Sequence, residues 1–332
     1  MVNTSKLTVH EISYELRIAS LIHLGAGFTL ANVNPVRGDM MVPGNALRGA
    51  LCTAYLKMFC TNNPLASCDS CTEKCEFLGS ILTKETEHGV GLYFGHGDIT
   101  YENGTGRRVK RLPSISLSRR SKVAQKGRLF FYEAIGNILK ISSHLYIVYE
   151  NDNDYIDGCK SFVAKALRAL KGSSIGGRRS WGWGYIENVA YTESIYPLDD
   201  ISLPVKVPTI ILALKTPMPL VDMDIKTNVD RILSDLTDRF MLAQEPPRLR
   251  EVEVKSFKLT PITGWDLKRK RQRPSNLSLE TPKIILKFDQ TDAKIAAILK
   301  LAYVTGLTPD GYWFTRLGYG NIESVDQSHL GV

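Results

Sequence analysis

The chain has 332 residues and a formal net charge of +8, and 43% of its residues are hydrophobic and 23% charged. These proportions are typical of a packed globular protein and exclude a disordered or low-complexity chain. Charged residues interrupt Met1–Ser20, and no apolar run approaches the roughly 20 residues that span a bilayer. We therefore expect a cytoplasmic protein that has no membrane partner and forms about two domains.

The first half of the chain predicts the order strand, helix, strand, strand, helix, strand, which is the split βαβ or ferredoxin-like pattern. Apolar residues alternate in the predicted strands and recur every three or four positions in the predicted helices. The seven elements, one strand more than this pattern has, are a strand Leu7–Leu24, a helix that opens at Pro43-Gly44-Asn45 and runs to Met58, a short strand Val90–Asp98, paired strands Leu129–Ile135 and Leu139–Tyr149, a helix Tyr155–Leu170 and a strand Trp181–Tyr191. Gly136-Asn137 is the predicted turn between the paired strands, and Gly25–Met41 is predicted to be a functional loop.

A second unit is predicted after a proline-bearing join at Ser194–Pro208. Its predicted elements are strands Thr209–Leu214 and Lys283–Phe288 and helices Val229–Leu242 and Ala293–Thr305. The run Gly182–Glu187 is matched by Gly318–Glu323 at the same point of this unit, which favours a degenerate duplication. The predicted fold class is α+β, with two ferredoxin-like units at residues 1–200 and 208–332 and long inserted loops.

The positive charge is concentrated in one segment, because Gly104–Arg128 holds nine basic residues and no acidic residue. We predict a long basic loop that contacts a polyanion such as RNA, and a solvated charged loop is the alternative. A second basic cluster, Lys268–Arg273, is predicted to act in the same way. The candidate RNA-binding residues of the two segments are Arg107, Arg108, Lys110, Arg111, Arg119, Arg120, Lys268, Arg269, Lys270 and Arg271.

A glycine-rich segment, Gly172–Gly184, combines three features of a phosphate-binding loop. Glycines allow sharp turns and close approach, arginines bind phosphate in a bidentate manner, and an aromatic ring stacks on a base. The candidate RNA-binding residues are Gly176, Gly177, Arg178, Arg179 and Trp181. The segment matches neither a Walker A loop nor a dinucleotide-binding fingerprint. The structural alternative is a turn with buried tryptophans.

Four cysteines, Cys60, Cys68, Cys71 and Cys75, fall within sixteen residues. In a chain without an export signal, this spacing predicts a structural zinc site of four thiolates rather than disulfides. The polar segment that they enclose lacks the apolar residues to order itself, so the metal would supply folding energy. Free thiols are the alternative. His88 and His96 are reserve ligands.

The glycine-rich segment resembles the loop between the last helix and the last strand in the ferredoxin-like domains of RAMP proteins. Three other segments are similar to family motifs: Val42–Leu51, with Pro43-Gly44 and Leu47-Arg48-Gly49; Phe77–Asp98; and Arg119–Glu133. The resemblance covers about residues 20–190. In the second half it rests on Gly264-Trp265-Asp266 and Gly318–Glu323.

The resemblance implies a subunit of a type III CRISPR interference complex, most like the large two-unit subunit of type III-D. Its implied partners are CRISPR RNA, target RNA through the guide, other RAMP subunits and the large subunit of the complex. Arg48, at the start of the first helix, would lie by the guide phosphates.

The resemblance also bears on target cleavage, since some family members cut RNA with an aspartate in the loop before this helix. The matching position here is Asn34-Pro35-Val36, and an asparagine supplies no anionic metal ligand. We therefore expect a non-catalytic subunit. The alternative is a metal-dependent endoribonuclease that uses Asp39 in the same loop. His23 is a general-base candidate by residue type alone, and a satisfied histidine at a strand end is the preferred interpretation.

Overall fold

The computed structural model describes residues 7–24, 33–34, 41–60, 91–102, 108–117, 124–150, 154–177, 179–204, 208–240, 246–262, 265–266, 271–272, 276–280, 283–290, 293–309 and 319–327. Among these residues, no helix is long and apolar enough to cross a membrane.

The first half of the chain contains nine strands and two helices within the described ranges. They are β1 (Thr8–Ile18), β2 (Val33–Asn34), β3 (Met41–Val42), α1 (Gly44–Phe59), β4 (Gly91–Phe94), β5 (Gly97–Tyr101), β6 (Arg108–Leu117), β7 (Ala124–Gly136), β8 (Ile138–Tyr149), α2 (Asp154–Leu170) and β9 (Ile186–Pro197). An antiparallel sheet has the order β3-β5-β8-β1-β9, and β4 also pairs with β8.

Alternation along β1 decides which face of this sheet is buried. Ile12, Tyr14 and Leu16 belong to the core that α1 and α2 cover, whereas Glu11, Ser13 and Glu15, which alternate with them, lie on the opposite face. The two helices contact each other through ring packing, with the centroids of Tyr55 and Phe162 4.9 Å apart. Both predicted helices therefore form, and their apolar faces pack against the sheet and against each other.

The predicted pairing of the two strands around Gly136-Asn137 is wrong. β7 pairs with β6, and β8 pairs with β1. A two-residue hairpin needs both residues in the turn, but Gly136 is still paired with Arg108, and only Asn137, at φ 58°, turns the chain. The chain therefore passes from one sheet into another at this point.

The predicted basic loop is a β-hairpin in its described part. β6 and β7 run antiparallel, and β2 adds to β7 in parallel, giving a second, three-stranded sheet. We call β6 and β7 the basic hairpin. Apolar residues such as Val109 and Leu112 alternate with the cations of β6. Because β6 pairs with the apolar strand β7, the extended strand is more stable than a solvated loop.

Two strand boundaries also differ from the prediction. β1 ends at Ile18, because Ile22 leaves the sheet and exchanges two backbone hydrogen bonds with Ile135 of β7, at 2.9 and 2.8 Å. The last strand of the unit begins at Ile186 rather than Trp181 and continues to Pro197.

The second half contains β10 (Thr209–Leu214), β11 (Met218–Leu220), α3 (Ile225–Arg239), β12 (Leu249–Glu253), β13 (Lys258–Ile262), β14 (Trp265–Asp266), β15 (Arg271–Gln272), β16 (Asn276–Glu280), β17 (Lys283–Phe288), α4 (Ala293–Thr305) and β18 (Ile322–Gln327). The predicted boundaries of β10, β17 and α4 are confirmed. α3 starts earlier than predicted because the Asp224 carboxylate accepts a hydrogen bond from the Thr227 N–H at 3.0 Å and caps the helix.

The main sheets of the two halves share one arrangement. The second sheet has the antiparallel order β12-β17-β10-β18. The first strand of each half thus lies between the strand before the last helix and the final strand. The turns before the final strands also agree, since Ile175 N–H donates to Gly184 O and Leu307 N–H donates to Gly320 O, both at 2.9 Å.

Side chains from both halves pack together where they meet. Val9, Tyr93 and Val148 of the first sheet belong to the apolar core of the second half. The Lys215 ammonium lies 2.5 Å from the Asp98 carboxylate, and the rings of His96 and Tyr319 meet edge to face at 5.4 Å. These contacts fix the second half against the end of the first sheet.

Candidate nucleic-acid interface

The turn between α2 and β9 requires glycine where the chain approaches itself. At Gly176, with φ +84°, a Cβ atom would lie 2.5 Å from the His23 carbonyl oxygen. At Gly184, with φ +69°, it would lie 1.8 Å from the Ile175 carbonyl oxygen. Both positions combine a left-handed backbone with contact distances that no side chain tolerates.

Several N–H groups of this segment, which we call the glycine loop, bind carbonyl groups of the chain. Gly177 N–H donates to His23 O at 2.8 Å, and Gly184 N–H donates to Leu21 O at 2.6 Å. Gly182 N–H donates to Arg179 O at 2.9 Å. Contact with an anion at this loop therefore depends more on side chains than on these three amides.

Trp181 presents an indole ring on the surface of the glycine loop. The residue is 49% exposed, while its neighbours Trp183 and Tyr132 are buried. Trp183 and Tyr132 both contact the Trp181 ring edge to face, with centroids at 5.5 and 5.9 Å. The ring is held in place by two aromatic contacts and remains accessible, which suits stacking on a nucleobase.

Arg179 is exposed beside this ring. Its Nε atom donates a hydrogen bond to Gly176 O at 3.0 Å, which fixes the base of the guanidinium against the loop. Partial burial lowers the pKa of the Arg179 guanidinium, but this group stays protonated at neutral pH. Its neighbour Arg178 lies outside the described residues.

His23 lies between the glycine loop and the basic hairpin, a position that its place in the sequence does not reveal. The residue is 6% exposed, and its Nδ1 lies 2.6 Å from the carbonyl oxygen of Glu133 in β7. A carbonyl oxygen only accepts, so Nδ1 carries the proton. The ring also contacts Tyr132 and Trp183, with centroids at 5.7 and 6.3 Å.

The basic hairpin exposes three of its predicted cations, and one of them forms an ion pair within the hairpin. Arg108 and Lys110 are exposed on β6. The Arg111 Nε atom lies 2.9 Å from the Glu133 carboxylate, whose side chain is largely buried. Arg107, Arg119 and Arg120 lie outside the described residues.

Arg48 is the fifth residue of α1, in its second turn, and is half-buried. Burial raises the pKa of the Cys52 thiol to about 11, and the charge and hydrogen bond of Arg48 partly offset this rise. The guanidinium therefore lies beside the next turn of its own helix.

The predicted zinc segment and the second basic cluster fall largely outside the described residues. Cys60 ends α1, with its N–H donated to Leu56 O at 3.1 Å, whereas Cys68, Cys71, Cys75 and His88 are not described. His96 is buried against Tyr319. Within the described ranges, no group of histidine, cysteine and acidic residues could hold a metal ion. Of the four candidate residues in the second cluster, only Arg271 is described, and its backbone pairs with Asp266. Lys268, Arg269 and Lys270 lie outside the described residues.

Two described residues of the segment before α1, Val33 and Asn34, pair with β7 of the basic hairpin. Asn34 pairs in parallel with Tyr132 of β7, so the position that the resemblance compares with the cleavage residue of some family members lies next to the candidate RNA surface. Asp39 lies outside the described residues.

The family model of the RAMP superfamily matches residues 15–187 of this chain. The chain belongs to the RAMP superfamily. The matched part of this RAMP protein contains α1, the basic hairpin, His23 and the glycine loop, and the second basic cluster lies outside it.

Solved structures are also similar to this chain. A chain of the type III-B Cmr-beta complex bound to cognate target RNA, determined by cryo-EM, is similar with a TM-score of 0.38 and 11% sequence identity. The similarity covers 82% of this RAMP protein and 86% of that chain. No curated protein matches the sequence.

Proposed function

We propose that this RAMP protein is a guide-RNA-binding and assembly subunit of a type III RNA-guided effector complex. The observation that carries the proposal is the contact between the glycine loop and the basic hairpin within the RAMP-matching region. Trp181, exposed on the loop that also exposes Arg179, contacts Tyr132 of the hairpin that presents Arg108 and Lys110. Cations bind phosphates independently of sequence, and a fixed aromatic ring accepts any base.

The proposed architecture is two ferredoxin-like units in one chain, with the first over residues 1–200 and the second over 208–332. The common strand order of the two main sheets and the common Ile175–Gly184 and Leu307–Gly320 turns support it. Two such units are the basis for proposing the large type III-D subunit rather than a single-unit backbone subunit.

The proposed partners follow from this role. They are CRISPR RNA, target RNA held through the guide, other RAMP subunits and the large subunit of the complex, in the cytoplasm. The similar chain of the Cmr-beta complex belongs to an assembly that was solved with target RNA. Arg48 and the Lys268–Arg271 cluster are proposed to add phosphate contacts.

We also propose that the subunit holds RNA without cutting it. The position beside the hairpin that matches a catalytic aspartate of the family is Asn34, which cannot act as an anionic metal ligand. Cleavage assays with a divalent metal should leave bound target RNA intact. Metal-dependent cuts that disappear in Asp39→Ala would instead establish the endoribonuclease.

The proposal is tested by purifying the full chain with its neighbouring gene products and sequencing the RNA that accompanies it. CRISPR spacers that share one repeat-derived end are expected. The variant Arg179→Ala/Trp181→Ala should lose most of this RNA, whereas Arg250→Ala, an exposed arginine of the second half, should retain it. Mixed cellular RNA in the wild-type preparation would contradict a guide-binding role.

A further inference from the structure

His23 joins three segments that are far apart in the sequence. Its backbone oxygen accepts the Gly177 N–H at 2.8 Å, and its ring Nδ1–H donates to Glu133 O at 2.6 Å. The first bond holds the glycine loop, and the second holds β7 of the basic hairpin. One buried residue therefore contacts both elements of the proposed RNA surface.

The backbone bridge next to His23 does not perform the same task alone. Ile22 and Ile135 exchange two hydrogen bonds, which anchor the hairpin at one point. A single anchor fixes a distance but leaves an element free to rotate. The His23 ring adds a second anchor two residues away, at Glu133, whose carboxylate also binds Arg111. Two anchors fix the direction in which the hairpin presents its cations.

The loop side of the contact is equally close. A Cβ atom at Gly177 would lie 3.0 Å from His23 Cδ2, and one at Gly176 would lie 2.5 Å from His23 O. The ring thus fills the space between the glycine loop and Tyr132 of the hairpin, and Tyr132 in turn contacts Trp181.

We infer that His23 is a positioning residue that orients the basic hairpin against the glycine loop, so that both bind one RNA strand at the same time. This inference rests on the proposed RNA-binding function. Two rigidly linked elements bind a common strand more tightly than the same elements moving independently, because the second contact is then intramolecular. His23 itself makes no contact with RNA in this role.

Two amide variants separate the positioning role from mere loss of a core ring. In His23→Asn, the side-chain nitrogen occupies the place of Nδ1 and can donate to Glu133 O. In His23→Gln, the nitrogen falls near the place of Nε2 and cannot. Both variants replace an imidazole with a polar amide, so they are matched for burial and polarity.

The measurement is the salt dependence of binding of the full chain to a fluorescein-labelled oligouridine, by fluorescence anisotropy. The slope of log Kd against log salt counts phosphate contacts, at about 0.7 for each contact to a single strand. His23→Asn should keep the wild-type slope. His23→Gln should lose about 1.4 in slope if Arg108 and Lys110 both disengage. In the His23→Gln background, Arg108→Ala/Lys110→Ala should then have no further effect.

A second route avoids substituting the histidine. Gly177→Ala places a methyl group against His23 Cδ2 without touching the hairpin, and it should cause the same loss of slope. If His23→Gln and Gly177→Ala both keep the wild-type slope and the full effect of Arg108→Ala/Lys110→Ala, the inference is wrong. If the wild-type chain does not bind the RNA, the proposed function itself is wrong.

Discussion

The Glu11 carboxylate lies 2.9 Å from His144 Nδ1, on the face of the first sheet opposite the helices. The same carboxylate accepts a hydrogen bond from the Tyr196 hydroxyl at 2.9 Å. The contact thus ties three neighbouring strands, β8, β1 and β9, through one carboxyl group. Its hydrogen bond with His144 is the main cause of a lowered Glu11 pKa, with Tyr196 adding to the effect against the opposing effect of burial.

This network predicts a pH dependence of stability. Because the folded-state pKa of Glu11 lies below that of the unfolded chain, the contribution is present above the ordinary glutamate range and is lost as pH falls through the folded-state pKa. Glu11→Gln should therefore destabilise the protein at neutral pH and have a smaller effect in acid, as measured by urea unfolding. Glu323→Gln, an exposed carboxylate of β18, serves as the control. An equal effect of Glu11→Gln at both pH values would contradict the prediction.

Alanine should have opposite effects on stability in the two glycine turns and at a glycine within helix α2. Gly184→Ala and Gly320→Ala would place Cβ atoms 1.8 and 2.5 Å from backbone oxygens at positive φ, so both should strongly lower the free energy of unfolding. Gly158→Ala in α2 has no atom within 4 Å of its new Cβ and should stabilise by roughly 0.5–1 kcal/mol. Thermal unfolding of the three variants tests both the predicted destabilisation and the predicted stabilisation. A neutral Gly184→Ala would show that the turn is not held as described.

The exposed ring of Trp181 predicts a stacking contribution to RNA affinity. Trp181→Ala should weaken binding of a single-stranded RNA by about 1–3 kcal/mol, and Trp181→Phe should recover most of this loss. Filter binding at constant salt provides the measurement. Removing a stacking ring should leave the salt dependence unchanged, in contrast to removal of a cation. Equal affinities for Trp181→Ala and Trp181→Phe would exclude stacking.

The cysteine spacing predicts about one tightly held zinc ion per chain, bound by four thiolates. Metal analysis of protein purified without chelator should detect it, and Cys68→Ser should remove it. Cys52→Ala, which changes a cysteine of α1 outside the predicted set, should not. Protein that lacks zinc in the unsubstituted form would leave Cys60 and its neighbours as free thiols.

The elements that sequence alone predicted well are those with local causes. The apolar periodicity of Ala293–Thr305 defines α4 at both ends, and the alternation of Ile12, Tyr14 and Leu16 identifies the buried face of β1. In both cases the apolar residues that define the sequence pattern are also the residues that pack against the core. Likewise, the glycines around Arg179 were recognised because a left-handed turn leaves a mark in the sequence.

The features that sequence did not reveal depend on contacts between distant segments. β7 and β8 are adjacent in the chain and both apolar, so local pattern alone favoured pairing them. Their actual partners, β6 and β1, are chosen by long-range register. The bond from His23 to Glu133 spans 110 positions, and the residue type alone indicated only a histidine at a strand end.

The glycine turns also change how such segments should be interpreted in related chains. At Gly176, Gly184 and Gly320 the side chain is excluded by the protein's own backbone. A homologue that lost its affinity for RNA would therefore have to keep these glycines in order to fold. The glycine pattern is a signature of ancestry and architecture, and the residues between the glycines, such as Arg179 and Trp181, are the ones that would record whether a given copy still binds.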